Sequence, residues 1–194
     1  CDGFVSRADA AALRALLLGR GLKAGAEGFP EGQHATMSHA ARGDRVVFIN
    51  NARDPPAVVD LCDRVDAVVG RLQGEVPALR EWGFIRSAQA SHYAPGGHCI
   101  PHVDNPNRNG RKLTVLMYFN GEHTAADGGH LRLHLAKAAG GLEPGPVDIA
   151  PLAGRLVFFP SETLEHEVLV SRADRVALTL WYHDADEAQA HGGF

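Results

Sequence analysis

Cysteine is scarce in this chain: three in 194 residues, Cys1, Cys62 and Cys99. An odd, unpatterned trio offers no disulfide framework, so the fold must rest on its own core, and a reducing compartment, cytoplasmic or nuclear, fits best. Long apolar runs are also missing. No stretch reaches the roughly 18 residues that a membrane-spanning helix needs, so no membrane partner is expected. A basic excess is absent: 19 Lys and Arg against 23 Asp and Glu leave a formal net charge of −4. That balance lacks the electrostatic footprint of a nucleic-acid binder. No nucleophile motif such as GxSxG occurs. No secretory leader is visible, and a start at Cys1 rather than Met is what an excised domain would show.

What remains is an ordinary globular composition, 45% hydrophobic and 22% charged, and a length that suits one domain over residues 1–194, expected to be a monomer. Ser6 to Arg20 reads as a helix, with Ser6 as N-cap, Leu13, Leu16 and Leu17 at helical spacing, and Gly21 as the stop. Ala24 to Arg42 is rich in Gly, Ala and His without periodicity and reads as a long loop. Its Gly28–Ala41 portion is expected to be a lid that closes over substrate. Arg45–Ile49 is a β-branched run and reads as a buried strand. Asp54-Pro55-Pro56 opens a second helix, which runs to about Gly74 on an apolar face of Val58, Leu61, Val65, Val68 and Val69.

From Phe84 onward the period changes. Eight strands are predicted: Phe84–Tyr93, Cys99–Val103, Lys112–Asn120, His130–Leu135, Val147–Ile149, Arg155–Phe159, Glu165–Val170 and Arg175–Tyr182. Pro95-Gly96-Gly97, Asn105-Pro106, Asn109-Gly110, Gly128-Gly129 and Gly140-Gly141 punctuate them. Two helices followed by many short strands imply a mainly β fold with flanking helices (α+β), built as a double-sheet jelly roll.

The chemistry concentrates at His102-Val103-Asp104 and His166. Residues two apart on a strand share a face, so His102 and Asp104 can aim at one point, with His166 arriving from another strand. Two imidazoles and a carboxylate form the facial triad of non-haem Fe(II), with positions left for co-substrate and oxygen. The same set also serves catalytic zinc. His98 and Cys99 read as turn and strand positions rather than ligands. His123, His130, His134 and His183 read as surface or strand-face residues.

Arg175 opens the last strand, and alternation places Arg175, Ala177, Thr179 and Trp181 on one face. A buried arginine inside a barrel needs an anion, and one carboxylate of a dicarboxylic keto acid would take its fork. Tyr118 on a central strand can add a hydroxyl to that carboxylate, and Thr179 lies on the same co-substrate side.

The run Tyr93-Ala-Pro-Gly-Gly-His98-Cys99-Ile-Pro-His102-Val-Asp104-Asn-Pro, with Gly128-Gly129, Gly154-Arg-Leu-Val-Phe-Phe159 and Arg175-Val-Ala-Leu-Thr-Leu-Trp181-Tyr, resembles the 2-oxoglutarate- and Fe(II)-dependent prolyl hydroxylases of the hypoxia-inducible-factor type. The resemblance runs from about Ala24 to Asp184. It implies a double-stranded β-helix, the jelly roll in its family form. It implies His102, Asp104 and His166 as iron ligands, with Arg175 and Tyr118 on the 2-oxoglutarate carboxylate and Tyr93 nearby. It places Arg42, Asp44, Arg111 and Trp181 near a proline-containing protein substrate, with Trp181 a flat apolar wall for the proline ring. Its cofactor set is Fe(II), 2-oxoglutarate and O2, with ascorbate as an accessory reductant. The chain departs from the animal enzymes in a shorter Tyr93–His102 segment, where His98 or Cys99 replaces a second tyrosine, and in the Gly28–Ala41 loop. Two other readings stay open: a 2-oxoglutarate oxygenase of small molecules, and a non-catalytic cupin-like metal-binding module.

Overall fold

The computed structural model describes residues 1–25, 41–80, 83–106, 109–135 and 145–190. The Gly28–Ala41 lid expectation falls almost wholly outside these residues, as does the Gly140-Gly141 turn. Two sheets face one another. The larger is built from β1 (Lys23–Ala24), β2 (Asp44–Phe48), β3 (Phe84–Tyr93), β5 (Arg111–Tyr118), β8 (Leu156–Pro160) and β10 (Arg175–Asp184), in the order β1-β2-β3-β10-β5-β8. The smaller holds β4 (Cys99–His102), β6 (Leu131–Leu135), β7 (Gly145–Ile149) and β9 (His166–Val168), in the order β4-β9-β6-β7. Every pairing within the two sheets is antiparallel. This is the double-stranded β-helix.

All eight expected strands from Phe84 onward form, within a residue or two at most ends. Their alternation sorts the core into two layers. Val176, Leu178, Leu180 and Tyr182 of β10, with Val115 and Met117 of β5, point outward into a core shared with α1 (Arg7–Leu18) and α2 (Pro56–Glu75). The intervening residues, among them Leu116, Tyr118 and Ala177, point inward between the sheets. The helices therefore cover one face of the larger sheet and leave the other for the site.

Local choices follow the sequence with some differences. Ser6 caps α1, its hydroxyl accepting from the Asp9 amide at 3.0 Å. Leu16, expected in the apolar stripe, is exposed, while Ala10 joins Leu13 and Leu17 in the core. The helix ends at Gly19 rather than Gly21. On α2, Cys62 rather than Val68 completes the buried stripe. Burial pushes the Cys62 thiol up to about 11, which leaves it an inert core residue. Features not expected from sequence include β1, a two-residue pairing with β2, the short helix α3 (Ala185–Ala190), and an N-terminal segment that pairs with β8. In that last contact the Cys1 amine and carbonyl exchange hydrogen bonds with Leu156, and the Phe4 amide reaches the Gly154 carbonyl at 2.8 Å.

Candidate active site

Among the described residues, one group of three or more His, Cys, Asp or Glu side chains converges closely enough to hold a metal: His102, Asp104 and His166, with ligand atoms all within 4.8 Å of one another. His102 ends β4 and pairs in register with His166 at the start of β9. The two rings sit 4.3 Å apart, centroid to centroid. Asp104 Oδ1 faces both, 3.6 Å from His102 Nε2 and 3.8 Å from His166 Nε2.

Each histidine is held by its other nitrogen. His102 Nδ1 donates to the Ile100 carbonyl at 2.9 Å, and His166 Nδ1 to the Leu164 carbonyl at 3.0 Å. A carbonyl only accepts, so Nδ1 carries a proton and Nε2 is the nitrogen turned toward the metal position. Asp104 is oriented in the same way. Its Oδ2 accepts from Thr114 Oγ1 at 2.6 Å and from Trp181 Nε1 at 3.0 Å, which leaves Oδ1 toward the imidazoles.

The electrostatics agree with a cation site. Burial works against the Asp104 charge, but the His102 contact and the His166 and Arg111 charges hold its carboxyl well below the usual carboxylate range. Burial pushes His166 down toward the neutral ring, against the pull of Asp104. Burial also opposes protonation of His102, but hydrogen bonds with Asp104 and Cys99 raise it to about 10. A metal must displace that proton. The donor set, two borderline nitrogens and one hard anionic oxygen, fits Fe(II).

Arg175 begins β10 and is 2% exposed. Its guanidinium lies over two aromatic rings, 5.1 Å from the Tyr93 centroid and 5.0 Å from that of Tyr118. Its Nε donates to the Gly129 carbonyl at 2.8 Å. Among the described residues no carboxylate lies within ion-pair distance of it. The Tyr118 hydroxyl is buried without a hydrogen-bond partner. Burial raises the Tyr118 pKa, with the Arg175 charge pulling against it. A buried cation beside a buried hydroxyl is a donor set that suits a carboxylate, so these residues fit the keto-acid co-substrate.

One cleft is lined by both groups of residues: the triad, Arg175, Thr179, Trp181, Tyr93, Arg42 and Asp44. Arg42 and Asp44 do not stand free in it. They pair with each other, Nε to Oδ1 at 2.7 Å and a terminal nitrogen to Oδ2 at 2.6 Å. Arg111 is placed behind the cleft. Its guanidinium carbon sits 4.2 Å above the Trp181 ring and one nitrogen donates to the Asp104 carbonyl at 3.0 Å. The indole thus has one face against Arg111 and its N–H on a metal-facing carboxylate, beyond its expected part as an apolar wall. Cys99 is buried beside the site and His98 half-buried; neither belongs to the converging group. His183, expected on a strand face, lies there but is buried, with Nε2 3.1 Å from Ser87 Oγ.

Sequence reasoning missed Thr114, Ser161, Asn105 and Gly129. Asn105 accepts from the Asn109 amide and donates to the Arg111 carbonyl, pinning the turn after Asp104. The detectable signal for Thr114 was a hydroxyl within an otherwise apolar run, Leu113-Thr114-Val115-Leu116-Met117.

A double-stranded β-helix with two histidines and a carboxylate at its open end, and a buried arginine beside them, defines the class of jelly-roll non-haem iron oxygenases. Residues 88–183 match the model of the 2OG-Fe(II) oxygenase superfamily, so this part of the chain is similar to a 2-oxoglutarate/Fe(II) oxygenase domain. Within it the similarity is to prolyl hydroxylases. Over 158 residues, 80% of this chain and 45% of the relative, it is 32% identical to Egl nine homolog 1 of Rattus norvegicus. Over 165 residues, 81% of this chain and 22% of the relative, it is 35% identical to the hypoxia-inducible factor prolyl hydroxylase of Caenorhabditis elegans. The chain therefore spans less than half the length of these two curated relatives. Among solved structures, a Trichoplax adhaerens prolyl hydroxylase in complex with a hypoxia inducible factor oxygen degradation domain peptide fragment aligns with a TM-score of 0.81 at 27% identity. That alignment covers 98% of this chain and 84% of that one.

Proposed function

We propose that this chain is a 2-oxoglutarate- and Fe(II)-dependent dioxygenase that hydroxylates prolyl residues in a polypeptide. The observation that carries the reading is that one cleft brings together a triad whose ligand atoms converge and the buried Arg175, whose guanidinium lies over the Tyr118 ring. When bound, iron and 2-oxoglutarate supply the oxidising chemistry, in which O2 and the keto acid give a hydroxylated product, succinate and carbon dioxide.

The protein's part is positioning. His102, Asp104 and His166 would hold the metal, each through one ligand atom turned to a common point. Arg175 and Tyr118 grip the distal carboxylate, with Tyr93 as an aromatic wall behind the guanidinium and Thr179 on the same strand face. Trp181, with Arg42 and Asp44, would form the side on which a peptide lies, and Arg111, called a peptide contact from the sequence, instead backs the Trp181 indole. The relatives that are prolyl hydroxylases favour a proline ring as target over a small molecule. The same reading takes O2 as substrate, ascorbate as accessory reductant, residues 1–194 as one catalytic domain, a monomer as the working form, and a cytoplasmic or nuclear setting without nucleic-acid or membrane partners. Among the described residues no helix is long and apolar enough to cross a membrane.

The test is mass spectrometry of a proline-containing peptide library incubated with the chain, Fe(II) and 2-oxoglutarate. A 16-dalton gain on proline, dependent on 2-oxoglutarate, is expected from the added oxygen (about one oxygen mass). Succinate production with no peptide modified would move the assignment to a small-molecule oxygenase. No succinate under any condition would leave a metal-binding module.

A further inference from the structure

We propose that Thr114 and Ser161 form a hydroxyl relay that decides which oxygen of Asp104 meets the metal, making Thr114 a positioning residue of the centre. The inference rests on the metal reading above. Thr114 Oγ1 is 2.6 Å from Asp104 Oδ2 and 2.7 Å from Ser161 Oγ. A hydroxyl has one proton. The ionised carboxylate can only accept, so Thr114 donates to Asp104 and must accept from Ser161. The direction of the chain is thereby set: Ser161 to Thr114 to Asp104. Ser161 is 0% exposed and Thr114 1% exposed, so no solvent can take over either bond. A hydrogen bond of this length onto a carboxylate is charge-assisted and strong.

Strand register builds the device. Thr114 of β5 pairs with Trp181 of β10 on one side and with Phe159 of β8 on the other. Trp181 and Thr114, being direct neighbours on the inward face, both reach the same oxygen. Ser161 follows β8 and is tied by its backbone to both flanks. Its amide donates to the Lys112 carbonyl, and its carbonyl accepts from the Asn105 amide, next to Asp104. Two donors on Oδ2 lower its electron density and block its approach to a metal. Oδ1, which faces the two imidazoles, is then the single ligand oxygen. One-oxygen binding keeps open the positions that a chelating co-substrate and oxygen need.

The experiment uses the full chain, free of metal, titrated with Co(II), whose visible bands report coordination. Parent, Thr114→Val, Thr114→Ser, Ser161→Ala and His166→Ala are compared, with thermal melts of each apo form. Thr114→Val keeps the shape and removes the donor. It is expected to bind Co(II) about tenfold more weakly with an altered visible spectrum, in line with the 10–100-fold effect of losing a partner that orients a ligand. Thr114→Ser restores the parent affinity and spectrum. Ser161→Ala weakens binding in the same direction by a smaller factor, and it carries the test if Thr114→Val does not fold. Parent-like affinity and spectrum in Thr114→Val or, failing that variant, in Ser161→Ala would overturn the relay. So would Thr114→Ser behaving like Thr114→Val, which would assign the effect to packing. A Co(II) signal that persists in His166→Ala would place the metal elsewhere and remove the metal reading together with the relay. Loss in His166→Ala with no change in Thr114→Val removes the relay alone.

Discussion

Arg42 and Asp44 grip each other with both oxygens and two nitrogens, at 2.7 and 2.6 Å, across a single glycine at the mouth of the cleft. The Asp44 side chain is 0% exposed and that of Arg42 14%. A pair this dry is costly to break from one side only. Asp44→Ala is expected to destabilise the fold by about 3–5 kcal/mol, because it leaves a buried guanidinium unpaired. The double variant Arg42→Ala with Asp44→Ala should lose less than the sum of the two single changes. Urea unfolding of the four proteins measures the coupling, and strict additivity would show that the pair contributes nothing as a pair.

Arg175→Ala should raise the 2-oxoglutarate requirement by at least about thirtyfold. Truncating one partner of a buried charged pair costs on the order of 2–5 kcal/mol. Arg175→Lys should fall between, since an ammonium lacks the planar fork. Succinate release across 2-oxoglutarate concentrations reads this, with Co(II) affinity as the internal control that should barely move. An unchanged apparent Michaelis constant would remove Arg175 from the anchor role.

Gly129 supports that arginine from behind. Its φ is 65°, and a Cβ there would lie 2.6 Å from Ser171 Oγ and 3.1 Å from Arg175 Cδ. Gly129→Ala therefore meets both left-handed backbone strain, about 1–2 kcal/mol, and a push on the anchor. The expected result is a lower melting temperature together with weaker 2-oxoglutarate use. A variant that melts like the parent and keeps its Michaelis constant would contradict so close an approach of Gly129 to Arg175.

His183 gives a pH dependence. Burial and the nearby Arg111 charge depress its pKa to about 3. In the unfolded chain it would titrate near 6.5. Below that pH the unfolded state gains a proton that the folded state refuses, so stability falls as pH drops from about 6.5 toward 3. Between pH 7 and pH 5 the loss amounts to about 2 kcal/mol, from one unit being worth 1.36 kcal/mol. His183→Gln should show a correspondingly smaller loss when urea midpoints are compared at the two pH values. Equal losses would assign the acid sensitivity to other groups.

The sequence made some of this legible for plain physical reasons. Phe84–Tyr93 and the other strands from Phe84 onward carry period-two alternation between glycine and proline turns, and that pattern survives any tertiary context. His102, Asp104, His166 and Arg175 stand out because their residue types are costly on inward faces without a ligand. What stays hidden has no period. Lys23–Ala24 is too short to show one. The short helix Ala185–Ala190 is held by Asp184, whose carboxylate accepts the amides of Asp186 and Glu187, and by Lys112 reaching Glu187 at 2.7 Å. Leu16 illustrates the limit from the other side: its spacing is right for the stripe, yet the sheet surface that α1 meets is filled by Ala10, Leu13 and Leu17. Thr114 and Ser161 escape because a hydroxyl gains meaning only from the carboxylate it touches, which lies on a different segment.

The contact of Cys1 to Phe4 with β8 has a bearing on how copies of this chain meet one another. β8 is the last strand of the larger sheet, and an outermost strand with unpaired amides and carbonyls is a template for any extended peptide that drifts past. Here the Leu156 and Gly154 groups are already taken, and Arg155 holds Asp2 by both carboxylate oxygens, at 2.5 and 2.7 Å. The first four residues thus work as a selvedge on the cloth. Trimming them would leave the metal-binding side chains in place, lift Phe4 off the edge of the core and uncover the border at Leu156, so a shortened chain is expected to self-associate when concentrated.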